Sequence, residues 1–240
     1  MAIPETPPSV LTVTAHPDDL DFGMAGTLAR WRDEGRPVVC CVVTDGDAGG
    51  NDRTLARTEM ARIRRDEQRA AAAELGVDDV RFLGFPDGRV VADLALRRAI
   101  SRVIRQVRPD LIVTQSPVRN LDRLFASHPD HLAVGEATMC AVYPDARNPF
   151  AFPELLDEGL EPHSVGEVWL SGGPEADQFV DITDTFDRKL AALAAHRSQT
   201  GHNDPAEFAK RVRSFGERSA SAAGFPEGRL GEAFRRVVTA

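Results

Sequence analysis

The chain has 240 residues, 42% of them hydrophobic and 28% charged, with a formal net charge of −8 at pH 7. That length and apolar content can bury one sizeable core, and a single domain over residues 1–240 is expected. Acidic and basic residues are mixed along the chain, which excludes the basic stripe that nucleic-acid binding requires.

The opening Met1-Ala-Ile-Pro-Glu-Thr-Pro-Pro-Ser9 lacks the positive and continuous apolar stretches of a secretion signal, and no apolar run approaches the ~18 residues of a membrane span. A soluble, cytoplasmic protein with no membrane partner is expected. Val10 to Ala15 reads as a short buried strand, followed by a polar turn and a helical pattern from Gly23 to Glu34 that Gly35 ends. Pro37 to Val43 is a second β-branched run. It is stopped by Thr44-Asp-Gly-Asp-Ala-Gly-Gly50, a loop by its glycines and aspartates. Cys40 and Cys41 are adjacent within that second run, and with Cys140 they form neither a disulfide framework nor metal-ligand spacing, so reduced core thiols are expected.

Leu55 to Leu75 carries apolar residues at helical spacing and meets Gly76, a C-terminal cap residue. Val80 to Leu83 predicts a third strand, Asp93 to Val107 a helix closed by Arg108-Pro109, and Leu111 to Thr114 a fourth strand. Strands alternating with helices of this length predict right-handed crossovers and an α/β, Rossmann-like three-layer sandwich with a mostly parallel sheet. A helix over Leu132 to Val142 and a long ordered loop from Pro144 to Pro162 follow. Strands at Val165 to Leu170 and Gln178 to Ile182 and helices at Thr185 to Ala195 and Pro205 to Ser219 complete the pattern, their order left open.

Two strings carry the chemistry. His16-Pro17-Asp18-Asp19 comes directly after the first strand, and His128-Pro129-Asp130-His131 after the fourth, where an open α/β sheet presents its binding crevice. Asp, His and Pro are ordinary turn and cap residues in either string alone. Two copies of His-Pro-Asp at strand-to-helix junctions, in a chain with six histidines, favour a built constellation. A catalytic zinc takes three His, Asp or Glu ligands and keeps one position for water, and these strings can meet that need. Proline after each histidine disfavours helical backbone there, so the rings leave extended segments. Adjacent Asp18 and Asp19 on an irregular turn can point in different directions.

The strings Ala-His-Pro-Asp-Asp at 15–19 and Ser-His-Pro-Asp-His at 127–131 resemble those of the LmbE-like, or PIG-L, de-N-acetylases. The resemblance extends through Phe22-Gly-Met-Ala-Gly-Thr-Leu28, Arg64-Arg-Asp-Glu67, Leu75-Gly-Val77, Leu83-Gly-Phe-Pro-Asp-Gly88 and His196-Arg-Ser-Gln199, most of the chain. It implies one Zn2+ per chain held by His16, Asp19 and His131, with Asp18 as general base. His128 would steady the oxyanion or protonate the leaving amine, and Asp130 would orient the His128 ring and keep it protonated. Asp87 and Arg64 match substrate-contacting positions, although Pro-Asp-Gly is also a common turn and Arg64 sits among other charges on a helix. The implied reaction is removal of an N-acetyl group from an amino-sugar conjugate or similar small amide, by an enzyme that often forms trimers or hexamers. One departure is Leu20, where the family commonly has Glu.

Other residues have plainer readings. His196, ending a helix, is read as a cap or support; His163 and His202 carry no pattern. Trp31 and Trp169 are read as packing, and Tyr143, Phe150 and Phe152 as a pocket wall or a subunit contact. No phosphate-binding glycine motif is present. Two alternatives stay open: a metal-dependent phosphoesterase, and a non-catalytic sugar- or nucleotide-binding protein.

Overall fold

A computed structural model describes residues 7–50 and 52–239. Residues 1–6, 51 and 240 lie outside it, and with them most of the stretch read for a secretion signal. The elements run β1 (Val10–Thr14), α1 (Asp19–Asp33), β2 (Val38–Thr44), α2 (Arg57–Glu74), β3 (Asp79–Phe85), α3 (Leu94–Val107) and β4 (Leu111–Gln115). Then come α4 (Pro129–Cys140), α5 (Glu154–Asp157), β5 (Glu167–Ser171), β6 (Gln178–Asp181), α6 (Phe186–Ala195), α7 (Arg197–Thr200), α8 (Pro205–Ala222) and β7 (Gly231–Val238).

Every residue of β1 and of β4 is buried, which accounts for apolar, β-branched runs without polar alternation: both faces are covered by helices. Val10 and Val113 face a core built with Leu20, Met24 and Leu28 of α1 and residues of α2, α6 and α8. Leu11, Val13 and Ile112 face a second core with Leu96, Ile100 and Ile104 of α3 and Val134 and Ala137 of α4. This is the expected three-layer arrangement.

The strand order is β3-β2-β1-β4-β5-β7-β6. β1 pairs in parallel with β2 on one side and β4 on the other, so the chain winds outward from β1 through β3 and then crosses over to β4. The strand order therefore reverses between β1 and β4, the point where a parallel sheet opens a crevice at its C-terminal edge. Beyond β5 the sheet is mixed. β7 runs antiparallel between β5 and β6 and was not read from sequence, because its adjacent exposed Arg235 and Arg236 break the burial alternation of Gly231–Val238.

Two helices begin earlier than their apolar periodicity suggests. α1 starts at Asp19 because Asp18, at φ 90°, turns the chain into it, and α4 starts at Pro129 because the His128 ring caps it by accepting from Asp130 N at 3.1 Å. The segment between Pro144 and Pro162 is ordered as expected and contains α5. It is tied down by buried Arg105, whose guanidinium donates to the carbonyls of Asp145, Ala146, Asn148 and Ala151 at 2.9–3.2 Å. No helix among the described residues is long and apolar enough to cross a membrane.

α4 lies close over the chain leaving β4. A Cβ on Gly135 would sit 2.3 Å from the Gln115 carbonyl oxygen and 2.8 Å from Pro117 N, both backbone atoms. Gln115 in turn accepts from Ala15 N at 2.9 Å through its side chain, linking the ends of β4 and β1. Gly135→Ala should cost about 1–3 kcal/mol in chemical denaturation, the usual range for overpacking; an unchanged midpoint would contradict this close approach.

Candidate metal centre

The two His-Pro-Asp strings meet at the crevice. His16 follows β1 with its backbone N–H donating to Asp19 Oδ2 at 2.7 Å, and its Nδ1 lies 3.3 Å from the same carboxylate oxygen. His131, in the first turn of α4, places Nε2 3.0 Å from Asp19 Oδ1 and 3.3 Å from His16 Nδ1. Bonds of 2.0–2.2 Å to a tetrahedral ion would separate its ligand atoms by about 3.3–3.6 Å, close to the 3.0–3.3 Å at which the two ring nitrogens and the two Asp19 carboxylate oxygens stand.

The hydrogen bonds behind the rings fit that use. His16 Nε2 faces Asp87 Oδ1 at 3.1 Å and Asp130 Oδ2 at 3.2 Å, so it carries the proton and leaves the Nδ1 lone pair toward Asp19 and His131. His131 Nδ1 lies 3.3 Å from the Ala126 carbonyl oxygen, which places its free lone pair on Nε2. With the protons so placed, two imidazole lone pairs face each other 3.3 Å apart, a contact that a shared cation, proton or metal ion, satisfies. The charges point the same way. Burial opposes a charge on His16, yet the carboxylates of Asp19, Asp130 and Asp87 push it up to about 12. The donor set thus demands positive charge at this place, and it fits a divalent ion.

Asp18 is turned aside from Asp19. Its φ of 90° is the left-handed region, uncommon for a residue with a Cβ and costing about 1–3 kcal/mol, so it must be held. Arg64 Nη2 donates to the Pro17 carbonyl at 2.5 Å and lies 3.3 Å from Asp18 Oδ2, while Asp18 N donates to Gln68 Oε1 at 2.8 Å. Burial, reinforced by Asp19 and opposed by Arg64, pushes the Asp18 carboxyl up to about 7. Gln68 also donates to Asp21 Oδ2 at 2.9 Å, the same oxygen that faces His196 Nε2 at 2.8 Å, with Asp21 and His196 both fully buried.

Several sequence expectations change here. Asp130 was expected to orient and protonate His128; its carboxylate instead accepts from His16 Nε2 and from Gly88 N at 2.7 Å, because α4 points that side chain back under the crevice. His128 meets Asp130 only through the backbone N–H, and burial together with the neighbouring His16 charge presses His128 below its ordinary value. Asp87 was expected at the substrate, yet its carboxylate is turned to His16 and to Ala48 N at 3.0 Å. Arg64 is neither on a solvated face nor open to substrate. It is 4% exposed and committed to Pro17, Gly46 and Asp18. His196 ends α6 as expected, but its buried pairing with Asp21 was missed. So was Gln68, although its spacing of four from Arg64 puts both on one face of α2.

A family model described as PIG-L, GlcNAc-PI de-N-acetylase, matches residues 11–142. A diacetylchitobiose deacetylase from Thermococcus kodakarensis is 34% identical over 194 residues, covering 79% of this chain and 69% of that protein. A probable N-acetyl-alpha-D-glucosaminyl L-malate deacetylase 2 from Bacillus cereus is 33% identical over 203 residues, covering 80% of this chain and 83% of that protein. Among solved structures, the N,N'-diacetylchitobiose deacetylase from Pyrococcus horikoshii, complexed with its inhibitor, superposes with a TM-score of 0.88 at 30% identity, covering 96% of this chain and 84% of that one.

The carboxylate behind His16 is open to test. Asp130→Asn keeps the shape but weakens the hold on the His16 tautomer, so zinc affinity measured by chelator competition should fall about 10- to 100-fold. Unchanged affinity would return Asp130 to His128.

Proposed function

The chain belongs to the PIG-L (GlcNAc-PI de-N-acetylase) family, and from that premise we propose that it is a zinc-dependent hydrolase removing the N-acetyl group of an amino-sugar conjugate. The observation that carries the reading is the convergence of His16 Nδ1, the Asp19 carboxylate and His131 Nε2 within 3.3 Å of one another, with the adjacent Asp18 carboxyl turned to Arg64 instead. His16, Asp19 and His131 are the ligands. Bound there, the ion supplies a Lewis acid for the acyl carbonyl and lowers the pKa of a water to about 7.

The residues divide the remaining work. Asp18, steadied by Arg64 and by the Gln68 bond to its backbone, takes a proton from the attacking water. His128 has Nδ1 engaged as an acceptor, so its proton is on Nε2, and it donates to the acyl oxygen as negative charge develops. Protonated Asp18 then returns the proton to the departing amine. Acetate and free amine result. Asp87, Asp130 and Arg64 act through His16 and Asp18 as positioning residues.

The relatives named for diacetylchitobiose and for glucosaminyl malate support an N-acetylglucosamine unit as the acyl bearer. Two ions about 3.5–4 Å apart would favour the phosphoesterase alternative. The acidic cluster His16, Asp87 and Asp130 shares only His16 with the histidine cluster His16, His128 and His131, and its carboxylates face the opposite nitrogen of that ring from Asp19 and His131, across which two ions would stand farther apart. A non-catalytic binding protein gives no use to a second, half-buried carboxyl, Asp18, held in a strained turn next in sequence to Asp19.

Asp18→Asn should retain zinc and lose about 10²- to 10⁴-fold in amine release from N-acetylglucosaminides. The pair of measurements is zinc content by elemental analysis and free amine by derivatisation; near-normal hydrolysis by the variant would remove Asp18 from the role of base.

A further inference from the structure

A cavity of about 620 Å³ extends from Asp19 and His131 to α6, α8 and β7. That is within the range of about 300–1,000 Å³ for small-molecule sites and far more than an acetyl group needs, so most of it serves the rest of the substrate. Its inner wall is apolar, with Ile182, Phe186 and Val212 each nearly fully buried. Lys189 and Glu232 also line it, but their charges are spent. They pair at 2.5 Å, Lys189 Nζ donates to the Phe22 carbonyl at 2.7 Å, and the Glu232 carboxylate accepts from the Gly26 and Thr27 backbone N–H groups.

Arg123 and Arg211 at the rim are different. Arg123, on the 3-10 turn Leu121–Ala126, lies over the rings of Phe125 and Phe215 at 5.3 and 5.7 Å, and Arg211 lies over Phe208 at 5.2 Å. Arg218 covers Phe215 as well, at 4.7 Å. Polar partners of Arg211 and Arg218 are neutral, Asn203 and Ser214, each at 3.4 Å. Among the described residues none of the three arginines has a carboxylate at ion-pair distance, although Glu207 and Glu217 share α8 with two of them. Elsewhere in this acidic chain many surface arginines, such as Arg62, Arg102 and Arg236, pair with carboxylates, while Arg89 and Arg213 do not among the described residues, so it is the place of the rim arginines at the cavity mouth that distinguishes them. Cations stacked on rings and left unneutralised at the mouth of a cavity present fixed donors to an incoming anion.

We propose that this cavity binds the part of the substrate beyond the amino sugar, and that this part carries an anionic group, carboxylate or phosphate, received by Arg123 and Arg211 with its apolar body against Phe215. The inference rests on the deacetylase reading and adds the class of conjugate it acts on. Both arginines are exposed, so their replacement leaves the cores intact.

The test compares kcat/KM of the zinc-loaded full chain on N-acetylglucosaminides whose aglycones are carboxylated, phosphorylated or uncharged at matched size. The native protein should favour one or both anionic forms by at least about tenfold, and the double variant Arg123→Gln, Arg211→Gln should lose about tenfold of that preference, as expected for a lost charge-assisted contact. Calorimetry of the corresponding free glucosaminides on metal-free native and variant protein reads the same preference without turnover. Equal kcat/KM on charged and uncharged conjugates, or a preference unchanged in the double variant, overturns the proposal while amine release still upholds the deacetylase. Tighter arginine-dependent binding of the anionic glucosaminides, with no N-acetyl compound hydrolysed, upholds the anion site and overturns the deacetylase reading instead.

Discussion

The site depends on one imidazole held from both sides. His16 leaves β1 where the strand order reverses, and the carboxylates of Asp87 and Asp130 on its Nε2 determine which nitrogen is free to face Asp19 and His131. Remove that hold and the ring can exchange tautomers, turning a proton toward the point where an ion must bind. The carboxylates come from different parts of the chain, Asp87 from the loop after β3 and Asp130 from the start of α4, so the tautomer of one side chain is set by the assembly of the parallel sheet.

A second hold acts on the adjacent Asp18. Its left-handed backbone separates two consecutive carboxylates, sending Asp19 to the imidazoles and Asp18 to Arg64. The conformation is not favourable by itself. Arg64 and Gln68 of α2 fasten the Pro17 carbonyl and the Asp18 N–H, and Gln68 is fixed in turn by the buried Asp21 and His196. The glycine loop before α2 is shaped around the same arginine: Cβ atoms on Gly46 or Gly49 would lie 2.5 Å from the Arg64 guanidinium. The positive φ at Asp18 is therefore supported by groups reaching from α2 and the end of α6.

Much of this was legible from residue order. Buried β-branched runs separated by amphipathic helices identified β1 to β4, and with them the crevice, because periodicity is a local property. The two His-Pro-Asp strings marked the chemistry by residue type and placement. What could not be read was direction. Asp130 follows His128 by two positions and was assigned to it, but a first-turn helical side chain can point away from the preceding cap residue, and here it reaches His16. Arg64 looked like one charge among several on a helix, whereas its burial comes from a loop and a turn far away in sequence. β7 was missed because its pairing partners β5 and β6 lie 60 or so positions upstream and its exposed arginines dilute the pattern.

The two donor clusters that share His16 make the account decidable. X-ray absorption combined with anomalous diffraction on the zinc-loaded protein would locate the ion relative to the imidazole. The expected result is one ion per chain on the Nδ1 side, with two nitrogens and one carboxylate oxygen from His16, His131 and Asp19 at about 2.0–2.2 Å. An ion on the Nε2 side, bound by Asp87 and Asp130, would contradict the assignment of every role at this site.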